Sequence, residues 1–162
     1  MSNTIEIRIA ELFVGDQSNV IITKGVGSCI VIVLYDRLVR IGGMAHAILP
    51  EASIEHAEVG VHVDLGKRFV KYADLAVDTL IADMESLGGT RQHLVAKLIG
   101  GAHMFALLEG DTFGIGWENT ESARARLVHH GIPIETEVVG GTVGRNVRLD
   151  CATGIVEIIT KV

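Results

Sequence analysis

The stretch Cys29-Ile-Val-Ile-Val-Leu-Tyr35 decides the fold, together with Arg40-Ile-Gly-Gly-Met-Ala-His-Ala-Ile48, which follows it after a short polar break. Val and Ile favour the pleated, buried surface of a β-strand, and both segments have the length of a strand. The break at Asp36-Arg37 predicts a turn between them. We therefore expect a β-hairpin of two buried strands.

The rest of the chain adds further strands and two helices. Strands are predicted at Ile5–Ile9, Val20–Thr23, His93–Ile99, Ile134–Val139, Val143–Asp150 and Ile155–Thr160. Apolar residues at helical spacing predict a helix over Leu65–Leu87, and a shorter helix is predicted from about Thr120 to His130 with Asn119 as its N-cap. Because strands outnumber helices without alternating with them, we predict an α+β fold, with central mixed or antiparallel β-sheets and two main helices packed outside.

Glycine pairs divide the sequence into short elements. They occur at Gly42-Gly43, Gly88-Gly89, Gly100-Gly101 and Gly140-Gly141. Glycine is the residue that turns with unusual backbone angles require, so we expect these pairs to mark tight turns.

Length and composition restrict the class of protein. The chain has 162 residues, which suits one domain spanning 1–162, and 48% of them are hydrophobic, enough for a packed core. Its 14 Lys and Arg against 20 Asp and Glu give a net charge of −6, which argues against binding to nucleic acid or to an anionic membrane. The low cysteine content, the lack of a basic and apolar leader, and the lack of a membrane-spanning apolar run predict a cytoplasmic protein.

Three motifs that would indicate a cofactor or a metal are incomplete. Residues 60–68 differ from a phosphate-binding loop by one extra residue between the glycines and by Arg68 in place of the magnesium-binding Ser or Thr. The segment Gly25-Val-Gly27 lacks the third glycine of a dinucleotide fingerprint. His56 and His62 lack the spacing of zinc ligands. We therefore expect neither a cofactor nor a metal.

Cys29 stands at the end of the glycine-rich segment Thr23-Lys-Gly-Val-Gly-Ser-Cys29 and at the start of the first hairpin strand. A hairpin loop of Arg37-Leu38, or of the four residues Asp36–Val39, places Cys29 directly opposite His46 on one face of the hairpin. Directly opposed side chains have Cβ atoms roughly 4.5–5.5 Å apart, which is within reach of a thiol–imidazole contact. A slip of one residue would put them on opposite faces.

Such a pair is suited to nucleophilic chemistry. The imidazole of His46 takes the proton of the Cys29 thiol, the thiolate attacks an acyl carbon, and the imidazolium protonates the leaving group. Thr23 is the candidate residue to orient the imidazole, through its hydroxyl or its backbone carbonyl. The backbone N–H groups of Cys29 and of its neighbours Gly27 and Ser28 are the candidate oxyanion hole.

The glycine-rich segment and the hairpin are part of a longer series of motifs. In chain order the series is Thr23–Cys29, Leu34-Tyr-Asp36, Ile41-Gly-Gly-Met-Ala-His46, Leu49-Pro50, Lys71-Tyr-Ala-Asp74, Lys97–Phe105, Gly131-Ile-Pro-Ile134 and Gly140-Gly-Thr-Val-Gly-Arg145. It covers nearly the whole chain, and it resembles the CheD family of chemotaxis proteins.

The resemblance implies a chemoreceptor glutamine deamidase, which hydrolyses selected glutamine side chains of methyl-accepting receptors to glutamate and releases ammonia. The nucleophilic cysteine, the histidine and the threonine of that family match Cys29, His46 and Thr23. The resemblance also implies a fold similar to cytotoxic necrotizing factor, and a partner, the CheY phosphatase CheC, whose contact can inhibit deamidation. It suggests that Gly140–Arg145 lies near the active cleft, whereas composition alone predicts a surface position for Arg145.

Two other functions stay open. An adaptor would bind receptors or a CheC-type phosphatase without any chemistry, and Cys29 would then be a packing residue, as we expect Cys151 to be. A receptor glutamyl methylesterase would use the same acyl-enzyme route and release methanol instead of ammonia. The effect of Cys29→Ala separates the adaptor from the enzymes, and the leaving group separates the two enzymes.

Overall fold

The computed structural model of the protein describes residues 2–52, 66–104 and 114–161. His56, His62 and Leu65, the first residue of the predicted long helix, lie outside them. The described residues form two helices, α1 (Ala73–Ser86) and α2 (Gly114–His129), and these strands: β1 (Asn3–Glu6), β2 (Glu11–Gly15), β3 (Asn19–Val26), β4 (Ile30–Asp36), β5 (Ile41–Ala47), β6 (Arg68–Phe69), β7 (Leu94–Gly100), β8 (Ile134–Val139), β9 (Arg145–Asp150) and β10 (Val156–Thr160).

The strands form two mixed sheets. The larger sheet has six strands in the order β6-β2-β5-β4-β7-β8, and the smaller has four in the order β1-β3-β9-β10. The pairs β1–β3 and β7–β8 are parallel, and all other neighbouring strands in these sheets are antiparallel. The prediction of central mixed sheets is confirmed.

The hairpin β4–β5 lies at the centre of the larger sheet, between two hydrophobic cores. On one face, Ile30 and Ile32 of β4 pack with apolar residues of both helices. On the other face, Val31 and Val33 pack with residues of the four-stranded sheet. Since both faces are covered, every residue of β4 and β5 is buried, which explains the unbroken apolar run in the sequence. The α+β class, with two helices outside the sheets, is confirmed.

The hairpin pairs in a register that differs by two residues from the predicted one. Asp36 is opposite Ile41, and Val31 is opposite His46. The prediction that Cys29 lies directly opposite His46 is therefore wrong. A shift of two residues preserves the alternation of side chains, so Cys29 stays on the face of the sheet that carries His46.

The local cause of the register is the side chain of Asp36. Its carboxylate accepts hydrogen bonds from the N–H groups of Leu38 (3.0 Å) and Val39 (3.3 Å) and so closes a loop over residues 37–40. Arg40, at the end of that loop, has a positive φ of 55°. The loop therefore lies one residue further along the chain than the predicted four-residue loop.

The predicted starts of both helices are also corrected. The long helix begins only at Ala73, because the preceding residues pair with β2, with Arg68 opposite Leu12. The second helix begins earlier, at Gly114, so Asn119 is not its N-cap but a buried residue inside it. Within the described part of the chain, no helix is long and apolar enough to cross a membrane.

One glycine pair and one strand also differ from what the sequence predicts. Gly42-Gly43 lies inside β5 and not in a turn. A Cβ atom at Gly42 would lie 2.9 Å from Sγ of Cys151, and one at Gly43 would lie 2.8 Å from a methyl carbon of Leu80. These glycines therefore allow close packing on both faces of β5. Strand β2 is not predicted from the sequence, because its apolar run is short.

Candidate active site

Cys29 immediately precedes β4, and His46 is the penultimate residue of β5. His46 is opposite Val31, two residues from Cys29, and the Cys29 side chain packs against the core between the two sheets. Diagonal neighbours of this kind lie roughly 7–8 Å apart, or somewhat less between Cβ atoms, and an aromatic ring can span that separation. The structure thus places the thiol and the imidazole on one sheet face.

Thr23 of β3 reaches His46 from the opposite sheet. Its hydroxyl oxygen lies 2.7 Å from Nδ1 of His46, and both side chains are fully buried. The Thr23 hydroxyl donates its proton to the carbonyl of Ile7, 2.9 Å away. Because a hydroxyl has only one proton to donate, its oxygen must accept from Nδ1, which therefore carries the hydrogen of the neutral imidazole.

The other ring nitrogen of His46, Nε2, consequently keeps its lone pair. It is buried and has no hydrogen-bond partner among the residues that the structure describes. Burial lowers the pKa of His46 from 6.5 to about 4, because the imidazolium cation is disfavoured away from water. At neutral pH His46 is therefore an uncharged base with a free acceptor nitrogen.

The two cysteines have different environments. The Cys29 side chain is half-buried, whereas Cys151 is fully buried, as expected of a packing residue. Burial raises the pKa of the Cys29 thiol, and its own backbone N–H offsets part of that rise. Burial is also the main cause that raises the pKa of Cys151 to about 12. Both groups are thiols at neutral pH, and Cys29 is the one that a substrate can reach.

The loop before Cys29 is held through its carbonyl groups. The N–H of Ala102 donates to the carbonyl of Gly27 at 2.9 Å, and the N–H of Gly101 donates to the carbonyl of Cys29 at 2.7 Å. The N–H groups of Gly27, Ser28 and Cys29 donate to no backbone carbonyl of the described residues. Gly27, Ser28 and Cys29 are half-buried, so their N–H groups are candidates to bind a negatively charged oxygen.

Arg145 lies behind this loop and is buried, in contrast to the surface position that composition predicts. Its guanidinium donates to the carbonyls of Gly100 at 3.0 Å and Gly140 at 2.8 Å. Gly100 has a φ of 116°, and a Cβ atom there would lie 2.4 Å from the carbonyl oxygen of Cys29. Gly100 therefore packs against the backbone of Cys29, and Arg145 holds the carbonyl of Gly100 in place.

Asn119 is the second residue near the site whose position the sequence does not reveal. Its side-chain amide donates to the carbonyls of Ser28 and Ile48. The sequence signal is a polar residue at helical spacing from Ala123 and Leu127, on the buried face of α2. A polar group on such a face needs a hydrogen-bond partner, but the sequence does not say which one.

Comparison with solved structures finds the hypothetical protein YfiH of Bacillus licheniformis. The match covers 79% of this chain and 49% of YfiH, with 18% sequence identity and a TM-score of 0.45.

Comparison with protein sequences gives longer matches. A family model described as CheD chemotactic sensory transduction matches residues 50–160. The probable chemoreceptor glutamine deamidase CheD of Thermococcus kodakarensis is 39% identical, over 93% of this chain and 88% of the relative. The chemoreceptor glutamine deamidase CheD of Halalkalibacterium halodurans is 36% identical, over 94% of this chain and 91% of the relative. On these similarities, the chain belongs to the CheD family of chemotactic sensory transduction proteins.

Proposed function

We propose that this protein deamidates glutamine side chains of chemoreceptors to glutamate, with Cys29 as nucleophile, His46 as base and then acid, and Thr23 as the residue that orients His46. The observation that carries the assignment is the Thr23 contact, which puts the hydrogen of His46 on Nδ1 and leaves Nε2 as a proton acceptor. The activity is the one named for relatives that match nearly the whole chain.

Acylation is the first half of the reaction. Nε2 of His46 takes the proton of the Cys29 thiol while the sulfur attacks the carboxamide carbon of the glutamine. A carbon–sulfur bond forms, and the electron pair of the carbonyl bond moves to the oxygen, which the N–H groups of Gly27, Ser28 and Cys29 stabilise. The imidazolium then protonates the nitrogen, the carbon–nitrogen bond breaks, and ammonia leaves a thioester behind.

Hydrolysis of the thioester is the second half. Neutral His46 takes a proton from water, and the oxygen of that water attacks the thioester carbon through a second oxyanion. The carbon–sulfur bond then breaks, and the imidazolium returns the proton to the sulfur of Cys29. The products are a glutamate side chain and the free thiol, so the enzyme returns to its starting state.

The resting site holds a neutral thiol and a neutral imidazole. Burial raises the pKa of Cys29 and lowers that of His46, so both shifts disfavour a preformed thiolate–imidazolium pair. The proton therefore moves to Nε2 as the substrate carbon is attacked. Thr23 accepts from Nδ1 before and after this transfer, so it keeps the ring orientation and stabilises the imidazolium.

Family membership supports further parts of the proposal. The substrate side chain belongs to a methyl-accepting chemotaxis receptor, and a CheC-type CheY phosphatase binds the protein and restrains it. Residues 1–162 act as one deamidase domain with a fold similar to cytotoxic necrotizing factor. The protein works in the cytoplasm, which agrees with its two unpaired cysteines.

The test is incubation of a receptor cytoplasmic fragment with the protein, followed by digestion and mass spectrometry. Wild-type protein is expected to convert specific glutamines to glutamates and to release ammonia, whereas Cys29→Ala is expected to do neither. Cys151→Ala is the matched control, because it removes the other thiol without touching the site, and it is expected to keep the activity.

Other outcomes would contradict the proposal. Equal conversion by wild-type and Cys29→Ala proteins would exclude Cys29 as the nucleophile. Methanol release from methylated receptor, without ammonia release from glutamine, would identify a methylesterase. Normal receptor binding without any conversion would identify an adaptor.

A further inference from the structure

Asn119 is a polar residue fully buried inside α2. Its Nδ2 donates to the carbonyl of Ser28 at 3.0 Å and to the carbonyl of Ile48 at 3.2 Å. Both partners are carbonyl groups, which can only accept, so the nitrogen and not the oxygen of the amide must face them. The orientation of the Asn119 side chain is therefore fixed by its partners.

These two acceptors lie next to the two reacting side chains. Ser28 immediately precedes Cys29, and Ile48 follows His46 by two residues. One amide group of α2 thus joins the chain entering β4 to the chain leaving β5. The contact is well placed to hold the backbone around the proposed nucleophile and base in a fixed relation.

The bond to Ser28 also sets the direction of the next N–H group. The peptide bonds of the described chain are all trans, so the N–H of Cys29 points away from the carbonyl of Ser28 in the same peptide unit. With the Ser28 carbonyl held against α2, the Cys29 N–H is directed away from that helix. Only Cα and Cβ separate the nitrogen of Cys29 from its sulfur, so this N–H lies close to the thiol.

The oxygen atom of the Asn119 amide gives a second, independent observation. Oδ1 is buried and has no hydrogen-bond partner among the described residues. An unsatisfied buried acceptor costs free energy, so an apolar residue at this position would avoid a penalty that Asn119 incurs. What Asn119 supplies in return is its pair of N–H donors.

We infer that Asn119 is a positioning residue, which presets the N–H of Cys29 to bind the oxyanion of the substrate. Its amide holds the carbonyl of Ser28 and, through Ile48, the strand that carries His46. The inference rests on the proposed function, since an oxyanion forms only if Cys29 attacks an acyl carbon.

The experiment compares two reactions of the same thiol in Asn119→Ala and in the nearly isosteric Asn119→Asp. Deamidation of a receptor fragment forms an oxyanion, whereas alkylation of Cys29 by iodoacetamide displaces iodide at a saturated carbon and forms none. We expect kcat for deamidation to fall about 10- to 100-fold with KM within about twofold, because the donor acts in the transition state. The alkylation rate and its pH profile should stay within about twofold of wild type.

Ser122→Ala is the matched control. Ser122 is also a buried residue of α2, and its hydroxyl donates to the carbonyl of Pro50, beyond the end of β5. The variant loses a hydrogen bond between α2 and the chain that follows β5, but the Asn119 amide still holds the Ser28 carbonyl. We expect its deamidation and alkylation rates to match wild type.

Several results would overturn the assignment. Wild-type kcat in both Asn119 variants would show that the amide is not needed. An equal loss of deamidation and alkylation, or failure of both variants to fold, would show that Asn119 is only structural. Wild-type protein that alkylates normally but releases no ammonia would refute the proposed function itself, and this inference with it.

Discussion

A single hydroxyl group decides which nitrogen of His46 is the base. The Thr23 hydroxyl donates its proton to the carbonyl of Ile7, so its oxygen can only accept from Nδ1. Neither the motif nor the strand pattern in the sequence shows which nitrogen is the base. The donor and acceptor roles of Thr23 and His46 depend on a third group, the Ile7 carbonyl. The sequence allows either the Thr23 hydroxyl or its backbone carbonyl to face the ring, and the structure shows the hydroxyl.

Thr23→Val tests the role of this hydroxyl with nearly the same side-chain shape. The buried Nδ1–H would lose its acceptor, at a cost of about 1–3 kcal/mol. Because about 1.4 kcal/mol corresponds to a factor of ten, we expect kcat for deamidation to fall roughly 5- to 150-fold. Thr23→Ser keeps the hydroxyl and should stay close to wild type in the same steady-state assay. A valine variant with wild-type kcat would remove Thr23 from the proposed mechanism.

At the scale of elements, the end of β7 supports the start of β4. Gly100 closes β7, and a Cβ atom there would overlap the carbonyl oxygen of Cys29 at 2.4 Å. The overlap involves backbone, which cannot turn aside as a flexible side chain can. The packing of these two strand ends therefore requires glycine at position 100.

Gly100→Ala is expected to displace the nucleophile loop and to reduce both deamidation and alkylation of Cys29 at least about tenfold, since small misplacements of reacting groups have large effects on rate. Gly131→Ala is the matched control, because Gly131 also has a positive φ, of 71°, but has open space around it. That variant should lose stability and keep its rate per folded molecule. Equal rates in the two variants would show that the contact with Cys29 does not matter.

Patterns along the chain predict the elements better than they predict the contacts between them. Apolar runs locate β4 and β5, because both faces of these strands are covered. The hairpin register depends on the carboxylate of Asp36, which closes a different loop from the one that composition favours. The hydrogen-bond partners of Asn119 and Arg145 are backbone carbonyls. Every residue carries a backbone carbonyl, so the sequence cannot identify which ones these side chains bind.

For the whole molecule, His46 links stability to pH. Its pKa is about 4 in the folded protein and near 6.5 when unperturbed, so between these values the unfolded chain binds a proton that the folded one does not. The stability from this difference is complete above pH 6.5 and is lost as the pH falls toward about 4. At about 1.36 kcal/mol per unit, the loss is about 3 kcal/mol.

The measurement is the free energy of unfolding in urea, at about pH 7.5 and about pH 4.5, for wild type and His46→Gln. Other titrating groups contribute similarly to both proteins, so the difference between their pH dependences isolates His46. We expect stability to decrease more in wild type than in the variant. Parallel pH dependences would mean that His46 titrates normally and is not a buried neutral base.

The proposed site draws its residues from two separately hydrogen-bonded sheets, with Thr23 on the smaller and His46 on the larger. A loosened state that kept every strand pair but let the sheets slide apart would separate the hydroxyl from the ring. The rate of deamidation therefore shows whether the two sheets stay packed against each other. If the interior expanded, deamidation would stop, while circular dichroism of the backbone would still show native secondary structure.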